Sequence, residues 1–169
     1  MSWPKKNERE EFEINKFIEA YARLPGSPSL AVVSKREKPD YLVKDGAGVE
    51  IGVELTSVYI DDRSVPDVHM QDEPGIVEIP YSKEMLAAYG KRLIGAVVDK
   101  VCKARQGYDT KRPLILAIYV NEYVSIYLGQ SELEQLVRQY EALFDSMTPF
   151  SETVFWNLAN GGVFRVKPS

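Results

Sequence analysis

Lys38-Pro39-Asp40-Tyr41-Leu42-Val43-Lys44-Asp45-Gly46-Ala47-Gly48-Val49-Glu50-Ile51-Gly52-Val53-Glu54-Leu55-Thr56 is the stretch that decides the fold. Asp45-Gly46-Ala47-Gly48 has the residues of a turn and separates two strand-like segments, Asp40–Lys44 and Val49–Tyr59. In the second, Val49, Ile51, Val53 and Leu55 share one face, and Glu50, Gly52, Glu54 and Thr56 the other. An antiparallel hairpin follows. If Lys44 pairs with Val49 across a four-residue loop, Asp40 lies opposite Val53, one position from Glu54. A slip of one residue decides which face Asp40 takes. In either register the two carboxylates lie within roughly 5–8 Å, the span of direct and diagonal cross-strand neighbours.

Two bare carboxylates that close repel, and an apolar sheet sharpens the repulsion. A divalent cation between them would relieve it. Mg²⁺, or Mn²⁺ in its place, suits the arrangement. Mg²⁺ needs only one or two protein carboxylates and fills its octahedron with waters and phosphate oxygens. Glu54 and Thr56 project from one face and can meet a common water, while the Leu55 carbonyl between them can also reach the metal. The alternative is a solvent-facing strand with ordinary polar alternation.

Outward from the hairpin, Asn7–Leu24 reads as a helix. Ile14, Phe17, Ile18, Tyr21 and Leu24 recur at helical spacing, and Pro25-Gly26 ends the run. Leu30–Ser34 is a short strand that completes an antiparallel meander. Asp61–Pro80 has three prolines, an acidic bias and no period, the pattern of a long functional or mobile loop. Ser82–Gln106 is a helix with Ser82 as N-cap, and Leu86, Leu93, Val97 and Ala104 mark its buried face. Pro113–Val120 reads as a buried strand, with Tyr123–Leu128 beside it. Ser131–Phe144 reads as a helix opened by a Ser131/Glu134 capping box. Thr153–Leu158 and Gly162–Val166 flank Asn160-Gly161, a hairpin signal. The order predicts one α/β domain over residues 1–169, with a mixed central sheet covered by helices and a C-terminal β-hairpin.

Composition narrows the partners. Of 169 residues, 44% are hydrophobic and 27% charged, enough for one full-sized core. No apolar run reaches membrane-span length, and Met1-Ser2-Trp3-Pro4-Lys5-Lys6 lacks a signal-peptide core. The single cysteine, Cys102, cannot form an internal disulfide, so the cytoplasm is the expected compartment. A net charge of −4 does not announce nucleic acid, although short basic clusters such as Lys35-Arg36-Lys38 and Lys100-Lys103-Arg105 permit it. Cys102, mid-helix, reads as a packing residue. His69, the only histidine, has no nucleophile or metal set beside it and reads as a surface residue.

Lys38-Pro39-Asp40, then Glu54-Leu55-Thr56 after thirteen intervening residues, resembles the PD-(D/E)XK phosphodiesterase superfamily. The likeness covers roughly residues 8 to 128. It implies a restriction-endonuclease-like αβββαβ core and metal-dependent hydrolysis of nucleic-acid phosphodiester bonds, with DNA ahead of RNA as partner. Asp40, Glu54 and the Leu55 carbonyl would hold Mg²⁺. The superfamily usually has a lysine where this chain has Thr56. Some branches are similar to this one and draw the lysine from the following helix. On the wheel of Ser82–Gln106, Lys100 falls at the edge of the buried stripe, and Lys103 and Lys91 point progressively away. Lys100 would then orient the attacking water, with Thr56 positioning it. Its plain reading is a stem lying over the core with the ammonium in water.

Many members place an auxiliary acid on the first helix. The resemblance points to Glu10, on the face of Ile14, Phe17 and Tyr21, with Glu13 or Glu11 in reserve; an acid near a helix N-terminus is also favourable in its own right. Relatives of the fold often dimerise. The hairpin bearing Phe155 and Trp156 would serve a homodimer or complete the core. Against the enzyme stands a module that keeps the fold and binds or regulates a protein partner. It is suggested by the acidic charge, the missing strand lysine and the acidic loop.

Overall fold

A computed structural model describes residues 5–58, 83–120, 128–158 and 161–167. Asp61–Pro80 with His69, the Ser82 cap, Asn160 and nearly all of Tyr123–Leu128 lie outside them, as does the side chain of Leu86. The elements run α1 (Lys6–Tyr21), β1 (Ala31–Lys35), β2 (Tyr41–Lys44), β3 (Glu50–Ser57), α2 (Lys83–Gly107) and β4 (Leu114–Tyr119). They continue with α3 (Gln130–Gln139), α4 (Glu141–Phe144), β5 (Glu152–Leu158) and β6 (Gly162–Arg165). The strands form one open, mixed six-stranded sheet in sequence order. β1–β2–β3 is antiparallel, β3–β4–β5 parallel, and β5–β6 antiparallel.

Alternation along the strands supplies a core on each face. Val53, Leu55, Ile115 and Ala117 pack under α1 against Ile14, Phe17 and Tyr21. Leu114, Leu116 and Ile118 face Leu93, Val97, Val101 and Ala104 of α2 and, through Phe144, α4. Phe155 joins the second core and Trp156 the first, both buried, so the C-terminal hairpin completes the interior with these residues. Among the described residues, no helix is long and apolar enough to cross a membrane.

Three local expectations are corrected. The helix predicted over 131–144 breaks at Tyr140, whose backbone leaves the helical region (φ −115°, ψ 36°). Its cap is not the Ser131/Glu134 pair: Glu132 accepts the Gly129 N–H at 3.1 Å. The β2–β3 loop is one residue longer than the four-residue version, since Asp45–Val49 lie between Lys44 and its partner Glu50. Asp45 N–H donates to the Val49 carbonyl at 3.0 Å, and its Oδ1 accepts from Ala47 and Val49 N–H, both at 2.9 Å. Gly48 supplies the positive φ (82°) that this short turn requires. Lys44 therefore pairs with Glu50 and Tyr41 with Val53, which brings Asp40 opposite Glu54 itself.

Candidate active site

β2 is shorter than β3. Its pairing ends at Tyr41–Val53, so Glu54–Ser57 has no β2 partner. Gly52 N–H donates to the Pro113 carbonyl on the β4 side, so alternate residues Val53 and Leu55 aim their backbone groups at the β2 side. There the Leu55 N–H meets a side chain instead of a strand: Asp40 Oδ2 accepts it at 2.9 Å. The Leu55 carbonyl leaves on the same open edge. Gly52 is also a close approach, because a Cβ there would lie 2.6 Å from both Leu114 Cδ2 and Pro39 Cγ. Its bare backbone lets the segment before β2 settle onto β3 and carry Asp40 to its place.

Glu54 is buried, with 2% of its surface exposed. Lys100 Nζ donates to its Oε1 at 2.5 Å, Tyr108 Oη donates to the same oxygen at 2.7 Å, and Asp40 N–H reaches Oε2 at 3.2 Å. Ala104, Lys100 and Tyr108 share one side of α2 and its exit, since Tyr108 N–H still bonds to the Ala104 carbonyl at 3.2 Å. Burial and the Glu54 charge, partly offset by the Leu55 N–H and Lys100, lift Asp40 from 3.8 to about 6. Burial, then the bond to Glu54, raises the Tyr108 hydroxyl well above its ordinary value. Burial and the carboxylates of Glu10, Glu11, Asp40 and Glu13 push Tyr41 up to about 12.

Above these groups lies a cleft of about 240 Å³ between the N-terminal half of α1, Asp40, Leu55–Ser57 and Lys100. Thr56 lines it. Glu10 also lines it, but ion pairs to Lys35 and, at 3.6 Å, to Lys6 hold its carboxylate. The deeper acid on α1 is Glu13, 5% exposed, whose Oε1 accepts from Ser57 Oγ at 2.9 Å. Glu11 is exposed. Asp40, Leu55, Thr56, Lys100 and Glu10 thus line one cleft, and Glu54 is buried beneath it, bonded to Lys100 and to the Asp40 N–H. Tyr108 and Ser57 join them without having been singled out in the sequence. Tyr108 had a legible signal, because it follows Lys100 and Ala104 at intervals of four.

The donor set fits a hard divalent cation of the Mg²⁺ type. Among the described residues Asp40 Oδ2 and Glu54 Oε2 each accept one hydrogen bond, so each keeps a lone pair for a ligand. Among the described residues no group of three His, Cys, Asp or Glu forms a fuller cage. That restricts the fit to a metal that completes its shell with water and substrate oxygens. No family model, curated protein or solved structure matches the chain.

Proposed function

We propose that the protein is a metal-dependent nuclease of the PD-(D/E)XK type, with a restriction-endonuclease-like core and its lysine supplied by α2. One observation carries this reading: Lys100 reaches from the helix after β3 to Glu54, while the β2–β3 hairpin holds Asp40 opposite. Asp40, Glu54 and the Leu55 carbonyl would hold Mg²⁺ or Mn²⁺, which when bound polarises a phosphodiester and acidifies a coordinated water. Lys100, released from Glu54, orients that water or offsets charge gathering on the phosphate oxygens. Thr56 lines the water's approach. Tyr108 is a positioning residue that fixes the Glu54 carboxylate.

The test is cleavage of labelled single- and double-stranded DNA and RNA with Mg²⁺, Mn²⁺ or EDTA. Glu54→Ala and Asp40→Asn should each abolish metal-dependent cleavage, a loss beyond the roughly 10–100-fold typical of outer-shell partners. Cleavage that survives both variants sinks the proposal. A second reading, a catalytically silent regulatory or protein-binding module, is favoured by the way Lys100, Tyr108 and Asp40 N–H already surround Glu54. Absence of both cleavage and calorimetric metal binding would select it.

A further inference from the structure

A second cleft, of about 310 Å³, opens at the carboxyl ends of β4 and β5 beside the C-terminal half of α1. Its volume is at the lower end of the roughly 300–1,000 Å³ of small-ligand sites. Carboxyl ends of parallel strands are where open α/β sheets place ligands. Trp156 and Tyr119 form one wall, ring against ring at 4.6 Å and 71°. Phe12 faces them from α1 with the Lys16 ammonium 5.9 Å from its ring centre. Trp156 Nε1 is buried with no hydrogen-bond partner. Asn157, at a register shift in β5, adopts φ +64° and donates from Nδ2 to the Val120 carbonyl at 2.8 Å, so the strand bends at this cleft.

Charge links this cleft to the carboxylate site. Arg9 lines the first cleft, and Lys16 and Arg23 line the second. They recur every seven residues, which keeps Arg9 and Lys16 on one flank of α1 about 10 Å apart, with Arg23 just past its end. Within the second cleft the two cations outnumber Glu19. The Lys16–Glu19 pair is exposed at 3.4 Å and exchanges readily for a phosphate.

We propose that this flank tracks the backbone of a single-stranded nucleic acid, one unstacked base of which sits against the half-buried Phe12 ring, over a floor made by the buried Trp156 and Tyr119. Basic residues following the phosphates and aromatic faces taking the bases are the physics of single-strand binding, and a duplex presents an unstacked base only at the cost of unpairing it. The inference rests on the nuclease reading for the strand's destination at Asp40 and Glu54, but the base seat itself needs no metal.

Trp3→Phe leaves Trp156 as the sole tryptophan of two. In EDTA this protein is titrated with an oligothymidylate, an oligouridylate and a blunt duplex of equal length while Trp156 emission is followed. Saturable quenching by a single strand is expected, with the duplex at least about tenfold weaker. Phe12→Ala and, separately, the exposed Lys16→Glu should each weaken single-strand binding about tenfold. Lys16→Glu touches no core residue, so it keeps the test valid should Phe12→Ala misfold. The two oligonucleotides tell DNA from RNA. No quenching, equal binding of the duplex, or unchanged affinity in a folded Lys16→Glu protein overturns the proposal. Repeating the titration with Glu54→Ala separates the two readings. Quenching without cleavage in the parent protein leaves the base seat standing and the nuclease fallen, and cleavage without quenching does the reverse.

Discussion

Two carboxylates in this molecule are each held by a cation and a tyrosine, and they differ in one respect. Glu152 on β5 pairs with Arg165 on β6 and accepts from Tyr21 Oη at 2.9 Å, while Arg165 also lies over the Tyr21 ring at 5.6 Å and reaches Ser27 Oγ. Glu54 on β3 pairs with Lys100 and accepts from Tyr108. At Glu152 one cation meets one carboxylate, and the cluster ties α1 to the C-terminal hairpin. At Glu54 a second carboxylate, Asp40, faces the same lysine across the hairpin, and the charge is left unbalanced. Lys100 is also less able to close the site than Arg165, since an ammonium is a mobile point charge and a guanidinium is a planar fork. A balanced cluster is a brace. An unbalanced one beside a cleft is what the proposed cation would neutralise.

The largest test of that contrast is stability against pH without metal. Asp40 binds its proton more tightly folded than unfolded, so its contribution to stability is full below pH 3.8 and is lost as pH rises through about 6. The shift from 3.8 to about 6 corresponds to a cost on the order of 3 kcal/mol at pH 8. Asp40→Asn, which can still accept the Leu55 N–H, should raise the Tm at pH 8 by several degrees and leave it unchanged at pH 3.5. Glu152→Gln, which relieves no like charge, should lower the Tm at pH 8. A fall in Tm for both variants at pH 8 would erase the distinction.

Gly52→Ala comes next. The added methyl meets Leu114 and Pro39 at 2.6 Å, so overpacking should cost about 1–3 kcal/mol in chemical denaturation and displace Asp40. Weakened Mg²⁺ binding should accompany the lost stability. The smallest effects belong to the tyrosines. Tyr21→Phe should cost about 1 kcal/mol and leave cleavage unchanged. Tyr108→Phe should cost a similar amount of stability and lower kcat about tenfold by freeing Glu54. Equal cleavage by the two variants would make Tyr108 a brace as well.

Much of this was legible in the sequence. Alternation from Val49 to Leu55 gave the strand and its faces, and the helical wheel put Lys100 at the edge of a buried stripe, from which it does reach Glu54. Legibility failed where one side chain redirects the backbone. The Asp45 carboxylate accepts from Ala47 and Val49 N–H, and the turn built on it puts one more residue between Lys44 and its partner, which moves Asp40 from opposite Val53 to opposite Glu54. On the first helix the resemblance points to Glu10, with Glu13 or Glu11 in reserve. Only the placement of Ser57 and Lys35 shows which of them goes deep and which is held near the rim. Phe155 and Trp156 are adjacent in sequence and bury on opposite faces, as alternation requires once the strand has cover on both sides.

The notch left by the short β2 has a consequence for measurement. A ladder hydrogen bond between strands changes partner only when the strands part, whereas the Leu55 amide is held by a carboxylate that a cation would also engage. Its rate of exchange with solvent deuterium is therefore a gauge of a single carboxylate's occupation, set beside ladder amides of β3 and β4 that answer to the parting of strands.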